Sequence, residues 1–294
     1  MRAAFAGLVD YAGLFPPASL GMAEAVREYD RERRGADRWM LGRFIVAASR
    51  LEELGTALES EGLEIPRHDP WRISAVMGVH VPDELSRLNA FRARWDSRGV
   101  TLDAIEYKVS SVGQLLTVAE QIPTAYQRYF EVPREGPFGP LVAAIHRVGA
   151  EAKVRTGGTT PDLFPAPEQL TAFLIAATSH GTRFKATAGL HHPLRGRYPL
   201  TYLPDAESGW MYGFVNLLLA TTLLLRSGDG ERAQAILEEQ DASAIVRDAD
   251  GYRWGDHHFA WAELASARQR AFTSFGSCSF REPVDELGLP ESVA

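Results

Sequence analysis

The chain has 294 residues, of which 45% are hydrophobic, and it carries a formal net charge of −7 with an isoelectric point near 5.7. This acidic balance argues against a nucleic acid or an anionic membrane as partner, because both require a basic protein surface. The single cysteine, Cys278, excludes an internal disulfide and a cysteine-based zinc knuckle. We therefore expect a cytoplasmic protein, without a signal peptide, whose partner is a small molecule.

Short apolar runs alternate with helical patterns along most of the chain. They predict strands at 4–9, 41–48, 73–78, 102–109 and 127–132, followed by strands six and seven around Lys153 and Lys185. They predict helices at 22–34, 49–60, 82–98, 112–121, 141–148 and 167–180. This alternation predicts a parallel sheet, and the length is typical of an α/β barrel of about 250 residues. The expected fold class is therefore α/β, a single (β/α)8 TIM-barrel domain over 1–294.

The alternation is interrupted after strand seven by a long insertion at 193–271. It is predicted to be mainly helical, with helices at 212–225, 231–240 and 259–272 and a possible hairpin around Asp250 and Gly251. The apolar run 209–225 is interrupted by polar residues and is shorter than the about 20 residues of a membrane span, which favours a buried or interface helix. We expect the insertion to form a lid or a subunit interface in a homo-oligomer. Strand eight at 273–280 and a final helix at 282–289 complete the barrel.

Lysine is rare in this chain and confined to predicted strands. Only three of the 31 basic residues are lysines, namely Lys108, Lys153 and Lys185. Because a lysine amine can become neutral and nucleophilic whereas an arginine stays charged, this usage favours a chemical role. A preference for arginine codons would explain the small number of lysines but not their positions.

Strand alternation predicts which side chains enter the barrel. Apolar neighbours should face the helices, which sends these charged residues inward: Glu106, Lys108, Glu131, Lys153, Arg155 and Lys185. Thr187 shares the inward parity of Lys185. Such an interior is costly unless the groups pair and reach a solvated site, as they do at the C-terminal ends of barrel strands.

This cluster predicts Schiff-base chemistry. Lys185 and Arg155 are expected to lower the pKa of Lys153, so that its amine attacks a carbonyl carbon. Glu106 or Glu131 would relay protons through a water, while Glu131 and Lys108 orient substrate or water. A buried ion-pair network without catalysis is the alternative interpretation of the same residues.

The motifs AIEYKV, YFEV, KVRTGG, FKATAGLHH and SFGSCSF resemble the corresponding strands of deoxyribose-phosphate aldolase and its class I aldolase relatives. The resemblance covers 102–192 and 273–280. It implies a TIM barrel in which Lys153, followed by Thr156 and Gly157, is the Schiff-base lysine. It also implies that Lys185, with Gly189, tunes that lysine and that Glu106 relays protons. No cofactor is implied.

Several residues depart from the family pattern. Lys108 is an additional inward lysine and a rival nucleophile. Arg155 has no clear counterpart and is a candidate for binding a substrate carboxylate in bidentate fashion. The continuation of strand seven into His191, His192 and Pro193 replaces the phosphate-binding region of the family, so a phosphorylated substrate is in doubt. The run 276–279 still offers hydroxyls and backbone N–H groups to an anion.

We therefore expect a carbon–carbon lyase acting on a small carbonyl substrate that carries a carboxylate or a phosphate. The candidate substrate-binding residues are Asp10, Arg155, Thr156, Thr187, His191, His192, Ser277 and Ser279. The first alternative is a metal-dependent lyase, isomerase or hydrolase that uses His191 or His192 with Glu106 and Glu131. The second is a non-catalytic binder of an acidic metabolite.

Overall fold

The computed structural model describes residues 1–288 and contains a closed barrel of eight parallel strands. The barrel strands are β1 (Val9–Tyr11), β2 (Leu41–Ala47), β3 (Trp71–Val76), β4 (Val100–Lys108), β5 (Gln127–Glu131), β6 (Glu151–Arg155), β7 (Phe184–Thr187) and β13 (Phe272–Ser277). Strand β13 pairs with β7 on one side and with β1 on the other, which closes the sheet. The predicted (β/α)8 TIM barrel is thus confirmed.

Helices surround the barrel between successive strands. They are α2 (Met22–Arg34), α3 (Leu51–Ser60), α4 (Val81–Trp95), α5 (Val112–Gln121), α6 (Phe138–Arg147) and α7 (Pro167–His180), with α11 (Arg281–Leu287) after β13. The predicted bounds of α5 and α7 are confirmed. The predicted last helix extends to Leu289, which lies outside the described residues.

Aromatic packing behind β7 sets the direction of Lys185. The Phe184 ring is fully buried between Phe173 of α7 and Phe272 of β13, with ring centroids 5.3 and 5.5 Å away. Because side chains alternate along a strand, fixing Phe184 among the helices turns Lys185 into the barrel. The inward parity predicted for Lys185 is therefore confirmed.

The predicted first strand is wrong. Residues 2–5 form a short helix, α1 (Arg2–Phe5), and β1 begins only at Val9. The helix is held by α10 (Trp261–Arg270): Arg268 donates hydrogen bonds to the carbonyls of Ala4 at 2.8 Å and Ala6 at 3.2 Å. As a result Asp10, expected after the strand, lies within it and points into the barrel.

The insertion contains more strand than expected. It begins with a two-stranded sheet, β8 (Gly196–Pro199) and β9 (Ser208–Met211), followed by α8 (Phe214–Ser227) and α9 (Gly230–Glu238). A three-stranded antiparallel sheet, β10 (Ile245–Arg247), β11 (Gly251–Trp254) and β12 (His257–Ala260), then leads to α10. It confirms the hairpin at Asp250 and adds a third strand.

The apolar helix of the insertion serves as a barrel helix. Helix α8 packs on β13, where the rings of Phe214 and Phe275 stack with centroids 5.0 Å apart. Asn216 is buried in α8, and its amide donates to the carbonyls of Ile236 and Glu239 at 2.8 and 3.0 Å. No helix within residues 1–288 combines the length and the apolarity required to cross a membrane.

Candidate active site

A cavity of about 340 Å³ lies at the C-terminal ends of the barrel strands. Its floor includes Glu106, Glu131, Lys153 and Lys185, and its rim includes the residues that follow β1, β6, β7 and β13. Phe15 and Pro16 of the first loop also line it. The cavity is therefore where the inward charged residues meet solvent.

Lys153 is paired with two carboxylates on the floor of this cavity. Its Nζ lies 2.7 Å from Glu106 Oε2 and 2.8 Å from Glu131 Oε2. Parallel pairing of β4, β5 and β6 brings the three residues together, because each occupies an inward position of its strand. Only 6% of the Lys153 side chain is exposed.

Lys185 is paired in the same way, one strand further around the barrel. Its Nζ donates hydrogen bonds to Asp10 Oδ2 at 2.6 Å and to Glu106 Oε1 at 2.8 Å. Glu106 therefore bridges the two lysines with its two oxygens. Ser74 donates to Glu106 Oε1 at 2.8 Å and Ser274 donates to Asp10 Oδ2 at 2.9 Å, which fixes both carboxylates.

The charge balance of the site reverses one prediction. Burial alone would lower the pKa of Lys153, but Glu106 and Glu131 outweigh it and hold this pKa above its ordinary value. Burial alone would also lower the pKa of Lys185, but Asp10 and Glu106 outweigh it and hold this pKa above its ordinary value. The prediction that Lys185 and Arg155 lower the pKa of Lys153 is therefore wrong, because two carboxylates in direct contact with the amine stabilise its charged form.

Glu106 is kept ionised by the same contacts. Burial would raise its pKa, but Lys153 and Lys185 hold it well below the usual range of a carboxyl. Glu131 shows the same balance, since burial is outweighed by Lys153 and its pKa is lowered. Both amines are thus protonated and both glutamates are ionised at neutral pH.

Lys108 does not join the cluster. It is the last residue of β4, its side chain is exposed, and it does not line the cavity. Inward parity applies only within the part of a strand that faces the barrel interior, and Lys108 lies beyond that part. The expectation that all three amines meet is therefore wrong for Lys108.

Arg155 and Thr187 line the cavity as predicted. The Arg155 side chain is 39% exposed and its Nε lies 3.6 Å from Glu131 Oε1, so much of the guanidinium remains accessible from the cavity.

Thr156 and two glycines join the ends of β6 and β7 instead of contacting the cavity. Thr156 is buried, and its Oγ1 donates to the carbonyl of Ala188 at 2.6 Å. A Cβ at Gly189 would lie 2.8 Å from the Gly157 Cα, and Gly189 has a φ of 71°, so glycine is required there. Because Thr156 bonds to the backbone and does not line the cavity, its position does not support the prediction that it binds substrate.

The two neighbouring histidines have different surroundings. His191 lines the cavity, and its Nδ1 lies 2.9 Å from Glu282 Oε2. His192 lies outside the cavity lining, stacks on Tyr198 at 3.4 Å between ring centroids, and pairs with Glu286 at 2.8 Å. The structure therefore retains His191 as a candidate site residue but not His192.

Ser277, the last residue of β13, and Ser279, just after it, serve the local structure. Gly276 occupies the cavity face, so alternation turns Ser277 away, and its Oγ lies 3.5 Å from His191 Nδ1. Ser279 Oγ accepts a hydrogen bond from the Glu282 backbone N–H at 3.2 Å at the start of α11. The predicted substrate contacts of Ser277 and Ser279 are therefore not formed by their side chains.

A ligand set for the metal-dependent alternative is not assembled in the described part of the chain. Within residues 1–288 there is no group of three or more histidine, cysteine, aspartate or glutamate side chains placed to hold a metal ion. The carboxylates expected to act with the histidines are instead paired with lysines.

Four polar residues of this region are not among those predicted from the sequence. The inward parity of Ser74 and Ser274 in their strands could have identified them. Glu282 and Tyr202 could not have been found, because Tyr202 OH donates to Glu282 Oε2 at 2.9 Å across 80 residues of chain.

The fold and site together define an α/β barrel with a buried lysine–carboxylate cluster at its C-terminal end. Comparison with protein-family models, with curated proteins and with solved structures finds no match to this chain. The resemblance to class I aldolases therefore rests on the strand motifs alone.

Proposed function

We propose that the protein is a carbon–carbon lyase of the Schiff-base aldolase type, with Lys153 as its nucleophile. The observation that carries this proposal is the position of the Lys153 amine, which lies between two ionised glutamates on the floor of an open cavity. An amine with carboxylates in hydrogen-bond contact has the nucleophile and the proton carriers that carbinolamine formation and dehydration require.

The raised pKa of Lys153 requires a proton to move before attack. When a carbonyl compound displaces water from the cavity, transfer from the ammonium to Glu106 or Glu131 converts a buried ion pair into a neutral pair. This conversion is favoured as the surroundings become drier. The freed amine attacks the carbonyl carbon, and the new carboxylic acid protonates the hydroxyl that leaves as water. The product is a protonated Schiff base on Lys153.

Carbon–carbon bond cleavage then follows from the charge of the Schiff base. The electron pair of the bond moves toward the iminium nitrogen and leaves an enamine, while the substrate hydroxyl loses its proton and becomes the carbonyl of the first product. Because the enamine no longer carries the positive charge of the iminium, Glu106 takes up a proton from solvent, in exchange for the proton that the hydroxyl lost, and transfers it to the enamine carbon. Water then hydrolyses the regenerated iminium and releases the second product from Lys153. Every proton taken up in these steps is later returned.

Lys153 is preferred to Lys185 because of access. The Lys185 side chain is fully buried, and its Nζ lies 5.1 Å from the centroid of the Tyr129 ring below the cavity floor. Lys185 holds Glu106 in place and adds positive charge beside the reacting amine. The accessible Arg155 guanidinium supports a substrate that carries a carboxylate, which it would bind in bidentate fashion, or a phosphate.

The experiment is trapping with borohydride. The protein is incubated with acetaldehyde, acetone, pyruvate or glyceraldehyde phosphate, reduced, digested and mapped by mass spectrometry. We expect a reduced adduct on Lys153 and none in Lys153→Arg. An adduct on Lys108 or Lys185, or no adduct with any probe, would contradict the proposal.

A non-catalytic binder of an acidic metabolite is the second candidate. It is favoured by Arg155, a cation that lines the cavity with 39% of its side chain exposed and is therefore available to a ligand anion. This function predicts saturable binding by calorimetry, without turnover and without covalent trapping.

A further inference from the structure

A second group of titratable side chains lies at the rim of the cavity, and the lysine chemistry leaves it unused. His191 follows β7, Glu282 lies in α11, and Tyr202 lies in the loop between β8 and β9. Glu282 Oε2 lies 2.9 Å from His191 Nδ1 and accepts a hydrogen bond from Tyr202 OH at 2.9 Å. The His191 ring lines the same cavity as Lys153. Two separate proton-transfer groups therefore face one substrate space.

The contact with Glu282 determines which nitrogen of His191 carries the proton. A carboxylate can only accept, so the neutral ring carries its hydrogen on Nδ1 and presents a lone pair at Nε2. Within residues 1–288, no side chain or backbone group forms a hydrogen bond with Nε2, and this atom is not completely buried. The His191 side chain is 9% exposed and lines the cavity, so the lone pair of Nε2 is available there to accept a proton.

The carboxylates of the floor are poorly placed to serve the whole substrate. Glu106 and Glu131 are bound to the Lys153 amine at 2.7 and 2.8 Å, so they serve the nitrogen and the carbon next to the imine. In an aldol cleavage the hydroxyl that loses its proton is on the second carbon from the imine carbon. A base on another side of the cavity is needed there, and His191 is at the rim.

We propose that His191 is the catalytic acid–base for the substrate hydroxyl, and that Glu282 and Tyr202 are the positioning residues that orient it. This inference rests on the proposed Schiff-base function. In cleavage, Nε2 takes the hydroxyl proton as the carbon–carbon electron pair moves into the iminium, and the hydroxyl oxygen becomes the product carbonyl. In condensation, the imidazolium returns that proton to the new alkoxide.

The insertion thereby contributes to catalysis. Tyr202 belongs to the segment between β8 and β9, and its hydroxyl also lies 3.4 Å from the cavity residue Cys278. Burial would raise the pKa of Glu282, but the hydrogen bonds from His191 and Tyr202 lower it below its ordinary value. Glu282 thus remains ionised and continues to hold the histidine.

The test separates the two proton-transfer groups. The first assay follows by NMR the exchange of α-hydrogens of acetaldehyde, acetone or pyruvate in D2O. This exchange requires Lys153 and a carboxylate of the cavity floor, but it involves no substrate hydroxyl. Formation of a carbon–carbon bond with glyceraldehyde as acceptor requires His191 as well. We expect His191→Gln to keep the exchange and the borohydride adduct but to lose bond formation by about 100- to 10,000-fold.

Positioning variants give a graded result with matched controls. Glu282→Gln and Tyr202→Phe should lose bond formation by about 10- to 100-fold, with exchange retained. Glu286→Gln and Tyr198→Phe change the same residue types around His192, outside the cavity, and should stay within about twofold of wild type. The Tyr202 variant removes one hydroxyl and tests the inference even if His191→Gln fails to fold.

Two outcomes overturn the inference in distinguishable ways. If the His191 and Tyr202 variants lose exchange and bond formation equally, or lose neither, His191 does not serve the hydroxyl while the Schiff-base function stands. If the wild-type protein shows neither exchange nor adduct with any probe, the proposed function fails and the assignment of His191 fails with it.

Discussion

The barrel holds charged clusters at both ends, and the two ends use different cations. At the N-terminal end, Arg43 binds Asp103 through two bonds of 2.7 and 2.9 Å, and Arg72 binds the same carboxylate at 2.6 Å. At the C-terminal end, the cations in direct contact with Glu106 are Lys153 and Lys185. The same fold thus encloses an arginine cluster and a lysine cluster.

The difference between the clusters lies in what their protons can do. Burial would lower the pKa of Arg43, but Asp103 raises it far above the ordinary range, so the guanidinium is a permanent charge that locks strands together. A lysine can give its proton to a neighbouring glutamate and become a nucleophile. The N-terminal end of the barrel therefore uses arginine for contacts that hold strands together. The role of each of the three lysines depends on its position in the barrel.

Exchanging the cation type should have the largest effect. Lys153→Arg keeps the charge but removes the nucleophile, and we expect the borohydride adduct to vanish and turnover to fall by about 10,000-fold or more. The control is the reverse exchange at the other end. Arg43→Lys should lose about 1–2 kcal/mol of unfolding free energy through its bidentate contact and keep the adduct. Equal loss of adduct in both variants would refute the division between the ends.

Neutralising the shared carboxylate should be the next largest effect. Glu106→Gln leaves two buried amines short of a partner, so we expect the unfolding free energy in urea to fall by about 3–5 kcal/mol, with loss of the adduct. Asp103→Asn is the matched change at the N-terminal end, where the carboxylate is 26% exposed. It should cost about 1–2 kcal/mol and leave the adduct intact. A smaller loss for Glu106→Gln than for Asp103→Asn would contradict the account.

Gly42 lies against Asp10 and leaves the space that the Asp10 carboxylate occupies at the C-terminal cluster. A Cβ at Gly42 would lie 2.3 Å from Asp10 Oδ1, the atom that accepts a hydrogen bond from the Arg43 backbone N–H at 2.8 Å. Gly42→Ala should displace Asp10 from Lys185 and cost about 1–3 kcal/mol, measured by urea unfolding. The control is Gly113→Ala, where an added Cβ meets nothing within 4 Å. Equal stability of the two variants would show that Asp10 is not held as described.

The pH dependence of stability should show the smallest effect. Glu106 and Asp103 have lowered pKa values in the folded protein, so the unfolded chain binds more protons as the pH falls below about 5. Their stabilising contribution is present above the unfolded pKa and is lost as the pH falls through the folded pKa. Between neutral pH and pH 4, we expect the unfolding free energy of Glu106→Gln and of Asp103→Asn to fall less than that of wild type, by on the order of 1 kcal/mol each. Parallel curves for wild type and variants would contradict this expectation.

The lysines limit stability at the opposite end of the pH scale. The raised pKa values of Lys153 and Lys185 mean that their contribution is complete below the unfolded pKa, near 10.4. It is lost only as the pH rises through the folded pKa above that value. Stability from the lysine cluster should therefore be flat from about pH 6 to pH 10.

Strand parity explains how much of the site the sequence could predict. The period of two sends Glu106, Glu131, Lys153 and Lys185 inward, and local apolar neighbours reveal that parity without any knowledge of distant contacts. The same rule fails for Lys108 because parity says nothing about where a strand passes out of the barrel.

Parity alone does not give the sign of the Lys185 pKa shift. That sign depends on Asp10 together with Glu106. The place of Asp10 in β1 could not be predicted because residues 2–5 form a helix held by Arg268, more than 260 positions away. The rim group was equally hidden, since Tyr202 and Glu282 meet only after the insertion folds. Local patterns therefore predict the floor of the cavity, while long-range contacts determine its protonation and its rim.

The most direct test of the central claim is a crystal structure of the borohydride-reduced protein after incubation with the best trapping probe. The account predicts electron density continuous from Lys153 Nζ into the cavity, with Glu106 in hydrogen-bond contact and Lys185 still bound to Asp10. Density extending from Lys185 or Lys108 instead, or a Lys153 amine that remains unmodified between Glu106 and Glu131, would contradict it.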